Sequence, residues 1–181
     1  MTHAVALLRA INITGRFVKK DVLRQLFVEL GLTGISTFIA SGNVLFDEEN
    51  GDPAALEARI ETHLRASLGY EVATFVRSAA ELAAVAAHTP FALDEMASAF
   101  GLMVAFLKAP PDEAGRERLL AYRRASDDIA VHGREVYWLR RVQQSETEFG
   151  GAKLERALGV PATVRSITTV RKLAILAAGK K

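Results

Sequence analysis

The hydrophobic pattern of this chain runs through one series of elements twice. Val5 to Leu8 is a short apolar run and predicts a first strand. Val18, Val22, Leu23, Leu26, Phe27 and Leu30 then keep helical spacing, and Gly31 ends that helix. Ile35 to Ile39 and Val44 to Phe46 predict two strands around Ala40-Ser41-Gly42-Asn43, a tight hairpin in which glycine takes the positive φ. Asp52-Pro53 sets a cap before proline at the first helical position, and Leu56, Ile60, Leu64 and Leu68 repeat every fourth residue behind it. Val72 to Val76 is a further strand. The order β-α-β-β-α-β is that of the ferredoxin-like unit.

The order returns from Gly101. Gly101 to Leu107 predicts a strand, and Pro111-Asp112-Glu113 opens a helix through Leu119, Leu120 and Arg123. Ile129 to Val131 and Val136 to Leu139 flank a His132-Gly133-Arg134 turn. Ser145-Glu146-Thr147-Glu148 is a capping-box pattern for a helix through Leu154 and Leu158, and Thr163 to Ile167 closes the series. Short strings recur about 90 residues apart. Val76-Arg77-Ser78 returns as Val164-Arg165-Ser166, and Leu68-Gly69 as Leu158-Gly159. Between the series, Ser78 and Glu81 form a capping box for a linker helix through Leu82 and Val85, while Thr89 to Ala99 fits helix or loop. Thr168 or Thr169 caps a last helix, with Val170, Leu173, Ala174 and Ala177 inward.

These elements predict an α+β fold: a tandem duplication of a ferredoxin-like unit, with mostly antiparallel sheets, a linker helix and a C-terminal helix. Residues 1–77 form the first α+β subdomain, 78–100 the linker region, and 101–181 the second subdomain with the last helix. Val5 to Leu8 and Leu102 to Leu107 are apolar without alternation, whereas a sheet with one wet face alternates. Each sheet is therefore expected to be covered on both faces, by helices and by the other repeat, in a single integrated domain over 1–181.

Composition narrows the classes. The 181 residues are 50% hydrophobic and 24% charged, ordinary for a globular chain long enough to bury a core. A net charge of +2 permits a nucleic-acid partner without forcing one. With no cysteine, disulfides, thiolate chemistry and sulfur-ligated metal sites are excluded. The longest apolar run, Leu102 to Leu107, is far short of the ~20 residues that span a bilayer. Met1-Thr2-His3 runs almost directly into a strand, so a cytoplasmic location is expected.

Candidate chemistry follows from topology. In a sheet of order 4-1-3-2 the loop after strand one and the hairpin between strands two and three share an end. Arg9-Ala10-Ile11-Asn12-Ile13-Thr14-Gly15-Arg16 thus converges with Ser41-Gly42-Asn43, and Lys19 and Lys20 stand near the following helix start. Backbone N–H groups at a helix start, with Gly15 permitting close approach, suit an anion. Those lysines oppose the helix dipole unless an acid or ligand compensates, and Asp21 could be that acid. A second basic group comprises Lys153, Arg156, Arg165, Arg171 and Lys172, the last two in the first turn of the final helix beside Thr168 and Thr169. It suits phosphate or carboxylate, or else is a capped helix with a solvated face.

Other readings are weaker. His3, His63, His88 and His132 have no metal-ligand spacing, and Ser41 lacks a nucleophile elbow. Asp127 and Asp128 are adjacent on a strand, so their side chains diverge. Glu48 and Glu49 read as loop charges. Base stacking on an exposed sheet face would draw on Phe46, Tyr137 and Trp138, of which alternation turns one of the last two outward.

The segments Leu7-Leu8-Arg9-Ala10-Ile11-Asn12-Ile13-Thr14-Gly15-Arg16, Ser41-Gly42-Asn43-Val44-Leu45-Phe46, Ala162-Thr163-Val164-Arg165 and Thr169-Val170-Arg171-Lys172-Leu173 resemble the bacterial domain of unknown function 1697. The resemblance implies an α+β fold of two related subdomains. The family often reads L-L-R-G-I-N-V-G-G where this chain has Ala10 and Thr14, leaving Gly15 as the one glycine of the loop. The leading expectation is a protein that binds an anionic, phosphate-bearing ligand such as a nucleotide or nucleic acid. Arg9, Asn12, Arg16, Ser41 and Asn43 would line the site, and Gly15 and Gly42 would shape it. Lys153, Arg165, Thr169, Arg171 and Lys172 form the second candidate site. The alternatives are a protein-interaction or regulatory module without a small ligand, and an enzyme of unidentified reaction. No cofactor, metal or membrane partner is expected.

Overall fold

The order of elements is the one the hydrophobic pattern predicts, built twice. The computed structural model describes residues 3–13, 15–39, 42–47 and 51–179. The first series is β1 (His3–Leu8), α1 (Lys20–Glu29), β2 (Ser36–Phe38), β3 (Asn43–Asp47), α2 (Pro53–Leu68) and β4 (Thr74–Arg77). After α3 (Ala79–Ala87) and α4 (Leu93–Ser98) come β5 (Gly101–Phe106), α5 (Glu113–Leu120), β6 (Asp127–His132), β7 (Glu135–Arg140), α6 (Gly151–Leu158) and β8 (Thr163–Ser166), then α7 (Ile167–Ala177). The two four-stranded sheets have the same order, β2-β3-β1-β4 and β6-β7-β5-β8. Every strand pairing described is antiparallel. The fold is α+β, two copies of one β-α-β-β-α-β unit. Among the described residues no helix is long and apolar enough to cross a membrane.

The chain divides into two compact units, one running up to Ala84 and resuming at Arg171, the other Val85–Val170. In the first, Ala4, Ala6 and Leu8 on one face of β1 join Leu23, Leu26, Phe27, Phe46, Ile60 and Leu64 in a core. Val5 and Leu7, on the opposite face, are buried as well, which explains the missing alternation. In the second unit Ala105, Leu107, Ile129, Trp138, Leu154 and Leu158 form the corresponding core.

Local chemistry repeats with the topology. Gly69 and Gly159 end α2 and α6 in the left-handed region, at φ 79 and 71. Ser78 and Ser166 each accept a hydrogen bond from the backbone N–H three residues on, Glu81 and Thr169, both at 3.2 Å. Arg77 and Arg165, which precede them, each donate from Nη1 to the preceding carbonyl, that of Val76 and Val164, at 2.9 Å. Arg77 is wholly buried, and burial pulls the Arg165 guanidinium down to about 10.

Several local expectations change. Val22 faces solvent, because α1 begins only at Lys20 and its inward stripe is Leu23, Leu26 and Phe27. In the β2–β3 hairpin Ile39 is left-handed, at φ 50, while Ala40 and Ser41 of the turn lie outside the described residues. The capping box at 143–146 belongs to Gln143 and Glu146 and serves a short 3-10 turn, Gln144–Glu146. Thr147 instead bonds Asp127, and α6 starts at Gly151. Ser166, and not Thr168 or Thr169, caps α7, so Arg171 and Lys172 lie beyond its first turn. Trp138 and Tyr137 are both buried and offer no stacking face. Trp138 Nε1 donates to Asp127 Oδ1 at 2.7 Å.

Candidate functional site

The sheet order brings three loops to one end of the first unit. The Leu8 N–H donates to the Gly42 carbonyl at 2.9 Å, tying the loop after β1 to the β2–β3 hairpin. The Arg9 N–H donates to the Ala73 carbonyl, also at 2.9 Å, tying the same loop to the segment before β4. The second unit repeats the first tie, with Leu107 N–H donating to the Arg134 carbonyl at 2.9 Å. Convergence of strand end and hairpin is thus a property of the unit.

Each candidate residue has a definite place there. Arg9 is half-buried at the exit of β1. Ala10 and Asn12 are left-handed at φ 55 and 58, and Gly15 at φ 76. Asn12 Oδ1 accepts from Val18 N–H at 2.7 Å, closing the loop on itself just before α1. Arg16 is exposed, its guanidinium 4.7 Å from the centre of the Tyr70 ring. Asn43 is only 2% exposed, and its Nδ2 donates to the Phe38 carbonyl at 2.8 Å, so its amide holds the hairpin. Gly42 supplies the carbonyl that receives Leu8. Ser41 lies outside the described residues, as do Thr14, Glu48 and Glu49.

Sequence reasoning missed Tyr70, which a loop between α2 and β4 delivers to Arg16, and whose buried hydroxyl has no hydrogen-bond partner among the described residues. It also missed the exposed apolar residues of this end. Phe17 is 82% exposed, Ile13 49% and Ile39 53%. The signal was present, since Ile13 and Phe17 flank the basic loop outside any helical stripe.

In the second candidate group Lys153 pairs with Glu148 at 3.3 Å, and Arg165 Nη1 also donates to Thr163 Oγ1 at 2.8 Å. The Thr169 hydroxyl lies 3.0 Å from Ser166 Oγ, inside the helix cap. Arg171 and Lys172 are exposed and belong to the other unit. Elsewhere in the first unit a pocket of about 310 Å³ adjoins the start of α2, but its acids Asp52 and Glu81 are committed to helix caps. Among the described residues no three His, Asp or Glu side chains gather as metal ligands.

Two sheets of identical order, each with a strand end hooked to its hairpin, define a class of tandem ferredoxin-like α+β proteins. The chain belongs to the family described as protein of unknown function DUF1697, which it matches over residues 1–137. It is similar in structure to the conserved bacterial protein SP0830 from Streptococcus pneumoniae, at TM-score 0.72 and 20% identity over 97% of this chain and 98% of that one. That likeness shows the fold. No curated protein matches the chain.

Proposed function

We propose that the protein binds an anionic, phosphate-bearing ligand, such as a nucleotide or nucleic acid, where the loop after β1 meets the β2–β3 hairpin. The Leu8–Gly42 hydrogen bond carries this reading, because it keeps the loop bearing Arg9 and Arg16 beside the hairpin. Left-handed Ala10 and Asn12, separated by a residue of negative φ, resemble the backbone turns whose N–H groups cradle anions. Stacking on Tyr70 restrains Arg16 while its N–H edge stays available for oxygen acceptors. Lys19 and Lys20 add positive charge at the start of α1.

A thermal-shift panel of nucleotides, phosphosugars and polyanions tests this reading. A ligand held by the native state at a hundredfold over its Kd adds about 2.7 kcal/mol, a rise of several degrees in Tm. Arg16→Ala is expected to abolish the rise. If Tm falls steeply with salt only for the polyanions, nucleic acid is the ligand class. A flat panel, identical for wild type and Arg16→Ala, overturns the proposal. It would favour a second reading, a protein-interaction surface, for which exposed Phe17, Ile13 and Ile39 speak.

A further inference from the structure

We propose that the cleft at the C-terminal ends of α5 and α6, in the second unit, binds an oxyanion bearing two or more phosphate groups. The cleft is shallow and open to solvent, measures about 430 Å³, and is lined by Ala121, Tyr122, Ala157 and the exposed Arg118, Arg124 and Arg156. That volume falls within the ~300–1,000 Å³ of small-molecule sites. All three of its charged residues are arginines, and among the described residues none of them pairs with an acid. The remaining lining is neutral.

Two of the guanidinium groups are held in place by backbone. Arg118 Nε donates to the Ala157 carbonyl at 2.8 Å. Arg124 Nη1 donates to the Ala121 and Arg123 carbonyls at 2.8 and 2.7 Å. A guanidinium carries five N–H donors in a planar fork, so among the described residues Arg118 keeps both terminal nitrogens uncommitted and Arg124 keeps Nε and Nη2. Anchoring removes rotamer freedom before a ligand arrives, which lowers the ordering cost of binding.

The simpler role of Arg118 and Arg124 is to neutralise carbonyls at the negative ends of α5 and α6. That role needs one charge for each helix end and leaves Arg156 unexplained. Arg156 is exposed, lines the same cleft and has no hydrogen bond or ion pair among the described residues. Three cations, two of them anchored, against two helix ends leave surplus positive charge, and forked donors match phosphate oxygens in pairs. A chain of phosphates carries more charge and more acceptor oxygens than a single phosphate, and so can satisfy more than one fork at once. The site is separate from the loop cluster of the first unit and does not depend on that reading.

Titration calorimetry of the full chain with tripolyphosphate, pyrophosphate and inorganic phosphate at low salt tests the proposal. Tripolyphosphate is expected to bind at least tenfold tighter than inorganic phosphate. Arg156→Ala should weaken it about tenfold without changing the melting temperature of the unliganded protein, since no internal bond is lost. The titration is repeated in an Arg16→Ala background, which disables the loop site of the first unit, so heat that persists there and falls with Arg156→Ala belongs to this cleft and is distinguishable from the loop site. Absence of binding up to millimolar tripolyphosphate, or binding that Arg156→Ala leaves intact, overturns the proposal.

Discussion

Ala10 adopts φ 55, a conformation that costs a residue with a Cβ roughly 1–2 kcal/mol and glycine little. It stands where the resembling family often has glycine. Ala10→Gly is therefore expected to stabilise the protein by about 1 kcal/mol, the larger backbone entropy of unfolded glycine offsetting part of the relief. Urea unfolding reads this as a higher midpoint at unchanged slope, and an unmoved or lower midpoint refutes it. Asn12 meets the same demand differently, since asparagine tolerates the left-handed region and its Oδ1 also receives the Val18 N–H. Gly31 was legible as a helix end because it closes a run of helical spacing, whereas Gly69 and Gly159 showed in the sequence only as a recurring Leu-Gly pair. Ile39 was not legible. A β-branched residue at positive φ contradicts its own preference, and nothing in the local pattern marks it.

At the scale of elements, β4 stands at the edge of the first sheet, and α2 guards it. Glu61 Oε1 accepts from Thr74 N–H and Glu57 Oε1 from Val76 N–H, both at 2.8 Å. The two acids are four residues apart, on one helix face, and their acceptors meet alternate N–H groups along the strand. Edge N–H groups left open are templates for pairing with another chain. Glu57→Ala leaves a buried N–H without its acceptor, so a loss of about 2 kcal/mol is expected, with Glu57→Gln retaining most of the stability. Equal loss in both variants would sink the idea that the acceptor oxygen matters. Glu57 was hidden in the sequence because its turn of helix reads as the polar flank of Leu56 and Ile60. The element order was legible because two periods, helical and alternating, punctuated by glycine and proline, fix it without tertiary information. The start of α6 was not, since Ser145-Glu146 has the letters of a capping box while Gln143 performs it. The convergence of loops at the candidate site followed from sheet order alone. Tyr70 and the arginine cleft did not, because both depend on how helix ends and loops pack rather than on any local string.

At the scale of the molecule, stability should fall with acid in two stages. The His88 ring stacks 4.2 Å from His132, and burial together with that neighbour lowers its pKa. The unfolded chain then takes up a proton near pH 6.5 that the folded chain resists, so stability declines as pH falls from about 7 toward 5. Burial by itself would raise the Asp127 carboxyl, but hydrogen bonds from Thr147, Ser126 and Trp138, with the charge of Arg140, more than offset it. Its pKa is lowered, and its contribution is lost only as pH falls below about 4. Chemical denaturation from pH 8 to 3 should show both stages, with His88→Gln flattening the first alone. A profile flat between pH 7 and 5 in the wild type would refute the assignment.

The first unit is made of two stretches of chain, interrupted inside α3 and resumed inside α7, while the second is one unbroken stretch. Synthesis from the N-terminus therefore cannot finish what it starts: the half begun first stays short of a piece until the last helix has left the ribosome. The half begun later can mature before it. Whatever Leu173, Ala174 and Ala177 cover stays open to chaperones and proteases until then, and a nascent chain stalled near residue 170 would carry the earlier half incomplete.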